Sequence, residues 1–420
     1  RAPWRSQRNR LEVFRDPCSD RDCWKHFNIL NSGLNRLSCS VSLREEVRGQ
    51  LWRGLMVKRR FCLVFLVALV ITPFASSDSL QETGTHKLTE VGEGIYLAQT
   101  TARLFNSNAL VVINDEDVLV VDSHITPAKG RDLISTIMTL TDKPVTTLIN
   151  SHYHYDHSHG NQAFTEENSP YSPHLEIIGH DFTRMKLSRL PLQRVNFRRG
   201  LAGTQSVVDK LQRKLAESLD SEQKEKLQEQ HDLMASHLAE WDEIMPVAPT
   251  LTLSDRLTLF RGSREIRVYF FGRAHSGGDL VVYFPEEQLA FTGDMMLAGP
   301  SWLGDGYVDE FPGTLEKLKS LEIKKIVPGH GMPFTDIAKI GLVQEFYLDL
   351  WQKTKHLYEQ GVSAEAASKA IDMTNFRESL GVLRVGYDSL AVSRMYERIA
   401  GEDNPLHYSS AKKQLLLHRT

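Results

Sequence analysis

The sequence predicts an α/β fold in which two β-sheets pack face to face and helices cover their outer sides. Short apolar and β-branched runs recur from residue 88 onward, which is typical of strands. A helix with proline at its start is predicted over 127–140, between strands at 118–122 and 144–150. This order of sheet, helix and sheet is what a four-layer αββα sandwich requires.

The remaining predicted strands divide into two groups. The first group precedes the helix at 127–140, and its strands lie at 94–98, 109–113 and 118–122, with a polar turn at 114–117. The second group follows a long gap, and its strands lie at 251–253, 257–260 and 266–271.

Helical periodicity predicts an insertion between the two sheets and an extension after them. Apolar residues at helical spacing over 206–241 indicate a helical hairpin, within an insertion at about 181–245. Helices are also predicted over 337–360, 364–371 and 389–399. We therefore expect a main domain over 78–340 and a C-terminal helical extension over 341–420. The hairpin is a candidate lid, or a contact between two copies of the chain.

The N-terminal part has the pattern of an export signal. Residues 56–60 are basic after Met56, residues 61–74 are apolar, and residues 75–77 are small. The apolar run is shorter than the about 20 residues of a membrane span. We expect cleavage before Asp78, a periplasmic or secreted location, and no stable membrane span in the mature protein. Residues 1–55 are interpreted as a non-native extension, or alternatively as a disordered basic arm.

Composition and cysteine positions restrict the function. The 420 residues are 41% hydrophobic and 25% charged, with a net charge of −3, so nucleic acid is not an expected partner. All four cysteines precede residue 78, so the expected mature chain uses no thiolate. A basic run over 184–199 indicates either a rim for anionic substrates or nucleic acid, or a solvated helix face, which we favour.

One segment after the strand at 144–150 holds four side chains that commonly bind metals. They are His152, His154, Asp156 and His157, and the segment contains three of the sixteen histidines. On extended backbone, residues two apart point to the same side, so His152 and His154 can bind one metal. Asp156 and His157 are adjacent, so a turn there would direct them to a second metal.

Three further candidate ligands follow in order along the chain. They are His275, Asp294 and His330, and each ends a short apolar run and is flanked by glycine. Glycine allows the backbone to pack closely around a metal, and loops at strand ends commonly carry functional groups. The sequence therefore supplies a full ligand set for a metal centre.

On these motifs the chain resembles the metallo-β-lactamase-fold superfamily of hydrolases over residues 89–332. His-x-His-x-Asp-His, His-Ser-Gly-Gly-Asp, Thr-Gly-Asp and Pro-Gly-His-Gly occur in the order of that family. The resemblance implies three ligand sets: His152, His154 and His275 for one metal; Asp156, His157 and His330 for a second; and Asp294 as a bridge. One lactamase subclass has Cys where this chain has Asp294, and in this the chain resembles the glyoxalase II-like, lactonase-like and nuclease-like branches. The loop over 295–311 resembles that of a group of secreted bacterial hydrolases.

The resemblance implies a hydrolase with two divalent metal ions, zinc first, with iron or manganese as alternatives, and the signal pattern at 56–77 predicts that it is exported. Such ions lower the pKa of a bridging water to about 7, so no protein nucleophile is needed. Asp156 is the predicted catalytic residue, which orients that water and transfers a proton. We expect a small-molecule substrate with an acyl bond: a β-lactam or other amide, a lactone, or a thioester. The alternatives are a phosphodiesterase or nuclease, or a non-catalytic metal-binding accessory of a redox pathway.

Several residues outside the motifs are secondary candidates. Asp122 resembles a structural aspartate of the family that ties down the motif loop. The aromatic residues Trp302, Tyr307 and Phe311 are candidate pocket walls or core residues. His124 and His180 are candidates for the pocket lining, but we favour ordinary polar surface for both.

Overall fold

Two β-sheets form the centre of the protein in the computed structural model, which describes residues 80–83, 86–100, 107–171, 174–188 and 190–402. The extension over 1–55 and the signal at 56–77 lie outside the described residues, so these assignments stay predictions. The described residues form the αββα sandwich that the sequence predicts.

The first sheet has eight strands that lie side by side in chain order. The strands are β1 (Leu80–Thr83), β2 (His86–Gly92), β3 (Ile95–Thr100), β4 (Asn108–Ile113), β5 (Val118–Val121), β6 (Val145–Ile149), β7 (Glu176–His180) and β8 (Leu251–Leu253). Strands β1 to β5 pair antiparallel, and β5 to β8 pair parallel. Because β5 and β6 are parallel, their carboxyl ends lie side by side at the same end of the sheet.

The second sheet has five strands in the order β13-β12-β11-β10-β9. The strands are β9 (Arg256–Arg261), β10 (Arg264–Phe270), β11 (Leu280–Phe284), β12 (Leu289–Gly293) and β13 (Lys325–Pro328). Only the β12–β13 pair among these is parallel. That pair therefore places the residues that follow both strands at the same end of the sheet.

Alternation of side chains along the strands builds three layers of core. In β4, Leu110 and Val112 are buried between the two sheets, together with Val268 of β10. The intervening Ala109 and Val111 are buried on the other face, against the helical layer. This period of two explains why the apolar runs are continuous, because both faces of the strand are covered.

Local signals set the ends of the first helix. Helix α1 (Pro127–Leu140) has the predicted bounds, because the hydroxyl of Thr126 accepts a hydrogen bond from Lys129 N at 3.2 Å and proline occupies the first turn. The metal motif continues into the short helix α2 (Tyr155–Ser158), which carries Asp156 and His157, and a second short helix, α3 (Asn161–Thr165), follows. Helix α2 provides the turn that the motif was expected to need.

The inserted helices are longer than the sequence suggested. They are α4 (Asp181–Ser188), α5 (Leu190–Glu217) and α6 (Ser221–Glu240), followed by a 3₁₀ turn at Trp241–Glu243. Helix α5 begins within the basic run, where charge obscured the periodicity. Val208 and Leu211 of α5 pack against Met234 of α6, which closes the hairpin.

C-terminal helices cover the second sheet. They are α7 (Phe311–Leu318), α8 (Lys339–Glu359), α9 (Ala364–Ala370), α10 (Arg377–Leu380) and α11 (Ser389–Ile399), with a 3₁₀ turn at Thr374–Phe376. Phe346 of α8 and Ala391 of α11 share one buried cluster with Val281 and Ala290 of the sheet. The extension is therefore continuous with the core of the second sheet. Across the described ranges, no helix is long and apolar enough to cross a membrane.

Candidate metal centre

The predicted ligands lie in loops at one end of the two sheets. His152 and His154 follow β6, Asp294 follows β12, and His330 follows β13. The two sheets are joined there by backbone hydrogen bonds, such as Leu280 N to Ser151 O at 2.8 Å. The fold therefore brings together segments that are up to about 180 residues apart, and it does so with rigid strand ends.

One group consists of three histidines, as the sequence predicts. His154 Nδ1 lies 3.0 Å from His152 Nε2 and 2.9 Å from His275 Nε2. His152 and His275 are buried, and His154 is nearly so. The structure thus brings His275, more than a hundred residues downstream, to the pair that the i, i+2 spacing aligns.

A second group consists of Asp156, His157 and His330. His330 Nε2 lies 3.2 Å from His157 Nε2 and 3.1 Å from Asp156 Oδ2. His157 Nε2 is 3.6 Å from Asp156 Oδ2. The short helix α2 turns the chain so that these adjacent side chains converge instead of diverging.

Asp294 lies between the two groups. Its Oδ2 is 3.5 Å from His275 Nε2 and 3.4 Å from His330 Nε2, and its Oδ1 is 3.4 Å from His157 Nε2. A Cβ atom on Gly329 would lie 2.3 Å from Asp294 Oδ1, so this position requires glycine. The place of Asp294 between the two groups fits the bridging role that the resemblance implies, and that role stays a prediction.

The donor atoms fit divalent metal ions. His157 Nδ1 lies 2.9 Å from Asp122 Oδ2, and a proton held in that bond would leave the lone pair of Nε2 to a metal ion whenever the ring is neutral. That lone pair faces His330 Nε2 and two carboxylates, an arrangement that is stable only around positive charge. Asp294 Oδ1 is also buried without a hydrogen-bond partner among the described residues. Mixed imidazole and carboxylate donors suit zinc, iron or manganese.

The electrostatics of the site favour bound cations. Burial lowers the pKa of His157, but the carboxylates of Asp156, Asp294 and Asp122 outweigh it and raise the pKa to about 9. Burial and neighbouring imidazoles hold the pKa of His152 well below its usual value, so its ring is neutral near pH 7. The carboxylates that raise the pKa of His157 stabilise positive charge at its ring, and a metal ion bound there would replace the proton.

Asp122 ties down the loop that carries the motif, as predicted. Its Oδ1 accepts a hydrogen bond from Ser151 N, and its Oδ2 accepts one from Ser151 Oγ, both at 2.7 Å. Oδ2 also faces His157 Nδ1 at 2.9 Å. One buried carboxylate thus orients the loop and the tautomer of His157 together.

The three candidate aromatic residues have different surroundings. The ring of Trp302 lies 5.7 Å from that of His154 and 6.5 Å from that of His275, so this residue is beside the site. Tyr307 and Phe311 are buried core residues, and Phe311 stacks on Tyr347 at 4.1 Å. Their assignment as pocket walls is therefore wrong, whereas their alternative assignment to the core is confirmed.

His124 and His180 are not ordinary polar surface, so that expectation is wrong. Both side chains are buried. His124 Nδ1 lies 3.0 Å from Ser107 Oγ, and the His180 ring lies 4.0 Å from that of Phe270. Neither residue belongs to a periodic apolar pattern, because each lies in a short strand or a loop. The sequence therefore did not indicate that these side chains are buried.

Sequence reasoning missed Asp305. Its Oδ2 lies 3.5 Å from His154 Nε2, the ring nitrogen that points away from the histidine group, and it accepts a hydrogen bond from Tyr153 OH at 2.8 Å. No hydrogen bond to His154 Nε2 forms at this separation, so the carboxylate favours this orientation of the ring through its charge. The only sequence signal was an acidic residue in a glycine-containing loop, which by itself is not specific.

The family follows from comparison with known proteins. The sequence model described as Metallo-beta-lactamase superfamily matches residues 102–330, which contain all seven predicted ligands. The chain belongs to the metallo-β-lactamase superfamily. It is therefore a metal-dependent hydrolase, and members of this family bind divalent metals.

Individual relatives are distant. A protein of Bacteroides fragilis called Metallo-beta-lactamase type 2 is 23% identical over 281 residues, which cover 64% of this chain and 89% of the relative. A metallo-β-lactamase structure from Pontibacter korlensis has a TM-score of 0.44 at 15% identity, covering 63% of this chain and 99% of that one. A second, from Erythrobacter litoralis, has a TM-score of 0.43 at 16% identity, with coverages of 64% and 99%.

Proposed function

We propose that this superfamily member is an exported hydrolase that holds two divalent ions, zinc first, and cleaves an acyl bond of a small molecule. The position of Asp294 carries the proposal of two ions. Its Oδ2 lies within 3.5 Å of one histidine from each group, which supports a bridge between two ions. Seven candidate donors also exceed the four that one tetrahedral ion uses.

The bound ions and the side chains of the site have different expected roles. Bound divalent ions would supply Lewis-acid polarisation and a lowered pKa of water. Burial raises the pKa of Asp156, but His157 and His330 outweigh it and hold this pKa below its usual range. The Asp156 carboxylate is therefore ionised near pH 7, so it can accept a proton and return it to the leaving group. Asp122 and Asp305 hold the ligand imidazoles in place.

Two observations support an acyl bond in a small molecule. The Bacteroides fragilis relative is named a metallo-β-lactamase, and β-lactam hydrolysis breaks an amide. Trp302 provides an apolar ring beside His154 that suits a compact organic substrate. The proposal covers β-lactams and other amides, lactones and thioesters.

The basic run gives little support to the alternative of a nuclease. Lys186 is buried, with its ammonium 5.1 Å from the rings of Tyr153 and Phe182. A guanidinium nitrogen of Arg184 donates to the carbonyl of Pro249. The Lys186 ammonium is therefore not accessible to phosphates, and the exposed Arg184 guanidinium already has a partner within the protein.

A hydrolysis screen tests the proposed function. Zinc-loaded protein is assayed on a chromogenic β-lactam, a lactone, a thioester and a phosphodiester. We expect hydrolysis of at least one of the first three, loss of activity with a chelator, and recovery with zinc. Hydrolysis of the phosphodiester alone would support the nuclease alternative and contradict the acyl assignment. Activity that survives full removal of metal would contradict the metal-dependent mechanism.

A further inference from the structure

The loop Ser301–Gly306, called here the 301–306 loop, contacts the predicted ligand His154 at two points. Trp302 places its ring 5.7 Å from the ring of His154. Asp305 places Oδ2 3.5 Å from His154 Nε2. A Cβ atom on Gly304 would lie 1.9 Å from the Trp302 ring, so glycine is needed for the loop to fold tightly under the indole. The conformation of this loop therefore affects both the site wall and one ligand.

The start of the 301–306 loop is held by α8. The backbone N–H of Ser301 donates to the hydroxyl of Tyr347 at 2.9 Å, and Ser301 Oγ lies 3.1 Å from the same hydroxyl. The Tyr347 ring is fully buried and stacks on Phe311 at 4.1 Å. A buried, stacked ring is a rigid support for a loop terminus.

The end of the 301–306 loop is held by α11. Arg394 is buried, its Nε donates to Gly306 O at 3.4 Å, and its guanidinium lies 4.9 Å from the centre of the Tyr307 ring. Arg398 lies 5.2 Å from the same ring, and its Nε donates to Asp309 Oδ1 at 3.1 Å. The loop is thus fixed at both ends by helices that follow the metal motifs.

We propose that α8 and α11 position the 301–306 loop against His154, with Tyr347 and Arg394 as positioning residues for the metal centre. Both helices lie beyond the residues that match the family, 102–330. The inference rests on the proposed function, because it takes His154 as a metal ligand. An irregular loop without such ties samples several conformations, and the Asp305–His154 contact would then be intermittent.

The test compares two single-hydroxyl deletions in the full chain. Tyr347→Phe keeps the ring stack and removes only the hydroxyl that holds Ser301. Tyr396→Phe is the matched control, because the Tyr396 hydroxyl donates to Val362 O at 3.0 Å, in the segment between α8 and α9, and not to the loop. Cobalt(II) binding is followed by visible absorption, and kcat and KM are measured on the substrate that the hydrolysis screen identifies.

For Tyr347→Phe we expect cobalt affinity to fall about 2- to 10-fold, the effect of one neutral hydrogen bond. We also expect altered cobalt absorption bands, because the orientation of His154 becomes less uniform. Tyr396→Phe should match the wild type in both. Arg394→Lys, which keeps the charge but loses the planar group over Tyr307, should change affinity in the same direction as Tyr347→Phe.

Two outcomes would overturn the inference in distinguishable ways. If the wild type binds cobalt and Tyr347→Phe shows the same affinity and spectrum as Tyr396→Phe, the positioning role is wrong and the proposed function stands. If the wild type binds no cobalt, the proposed function fails and the inference fails with it.

Discussion

Asp156 and Asp294 contact the same histidine but have different expected roles. Their nearest oxygens lie 3.6 Å and 3.4 Å from His157 Nε2. Asp156 belongs to one group of ligands, whereas Asp294 also reaches His275 of the other. At the residue scale, we therefore expect Asp156 to transfer a proton and Asp294 to retain the metal ions.

Substitution separates these roles. At matched metal loading, Asp156→Asn should lower kcat by about 10²- to 10⁴-fold, because the amide cannot accept the proton. Asp294→Ala should instead lower the number of bound metal ions first. Asp132→Asn is the control, since Asp132 pairs with Lys129 on α1 at 2.8 Å and is not one of the predicted ligands. Full activity of metal-loaded Asp156→Asn would contradict the proton-transfer role.

Motif residues could be predicted from the sequence, whereas their supporting residues largely could not. His152 and His154 are set by strand alternation, and Asp122 was identified through the family resemblance. Asp305 was missed because its partner, His154, lies about 150 residues away, and no local pattern links the two. Tyr307 was left open between pocket wall and core for the same reason, since the guanidinium groups that cover it come partly from α11.

At the element scale, the inserted hairpin ends directly on the helix that carries Asp156 and His157. Trp241 is fully buried, and its ring lies 5.8 Å from that of Tyr155 and 5.9 Å from that of His159. The preceding Glu240 accepts a hydrogen bond from Thr126, the N-cap of α1. The end of the insertion thus braces α1 and α2 together.

Truncation of Trp241 should therefore destabilise the protein strongly. We expect Trp241→Ala to lower the free energy of unfolding by about 3–5 kcal/mol, because it leaves a cavity beside α2. Trp241→Phe should cost less. Leu219→Ala, at a fully exposed position in the same hairpin, should stay within about 0.5 kcal/mol of the wild type in urea unfolding. Equal effects of Trp241→Ala and Leu219→Ala would contradict the bracing role.

Element bounds were predictable where local signals exist. Helix α1 and helix α11 have the predicted ends because proline, threonine and aspartate mark their first turns. The start of α5 and the strands β2 and β7 were missed. Charged residues interrupt the apolar pattern in α5, and the two strands are too short or too polar for alternation to be distinctive.

At the scale of the whole molecule, buried histidines make stability depend on pH. Burial lowers the pKa of His86 from 6.5 to about 4, outweighing the opposite effect of Asp132. Between these values the unfolded chain binds a proton that the folded chain does not, so stability is lost as pH falls from about 6.5 to 4. The His86 ring is buried in the folded state as a neutral group, and its Nδ1 lies 3.1 Å from Thr136 Oγ1.

Urea unfolding across that pH range checks this expectation. The wild type should lose stability toward pH 4 more steeply than His86→Gln, which cannot titrate and retains a polar group near Thr136. Both proteins lose metal as pH falls, so the difference between them isolates the histidine. Identical slopes would contradict the assignment of His86 as a buried neutral group.

In the whole molecule, the two groups of side chains around Asp294 are proposed to hold two divalent ions. Elemental analysis of the purified, zinc-saturated protein after removal of free metal tests it most directly. We expect about two zinc ions per chain in the wild-type protein and one or fewer in Asp294→Ala. One ion or none in the saturated wild-type protein would contradict it.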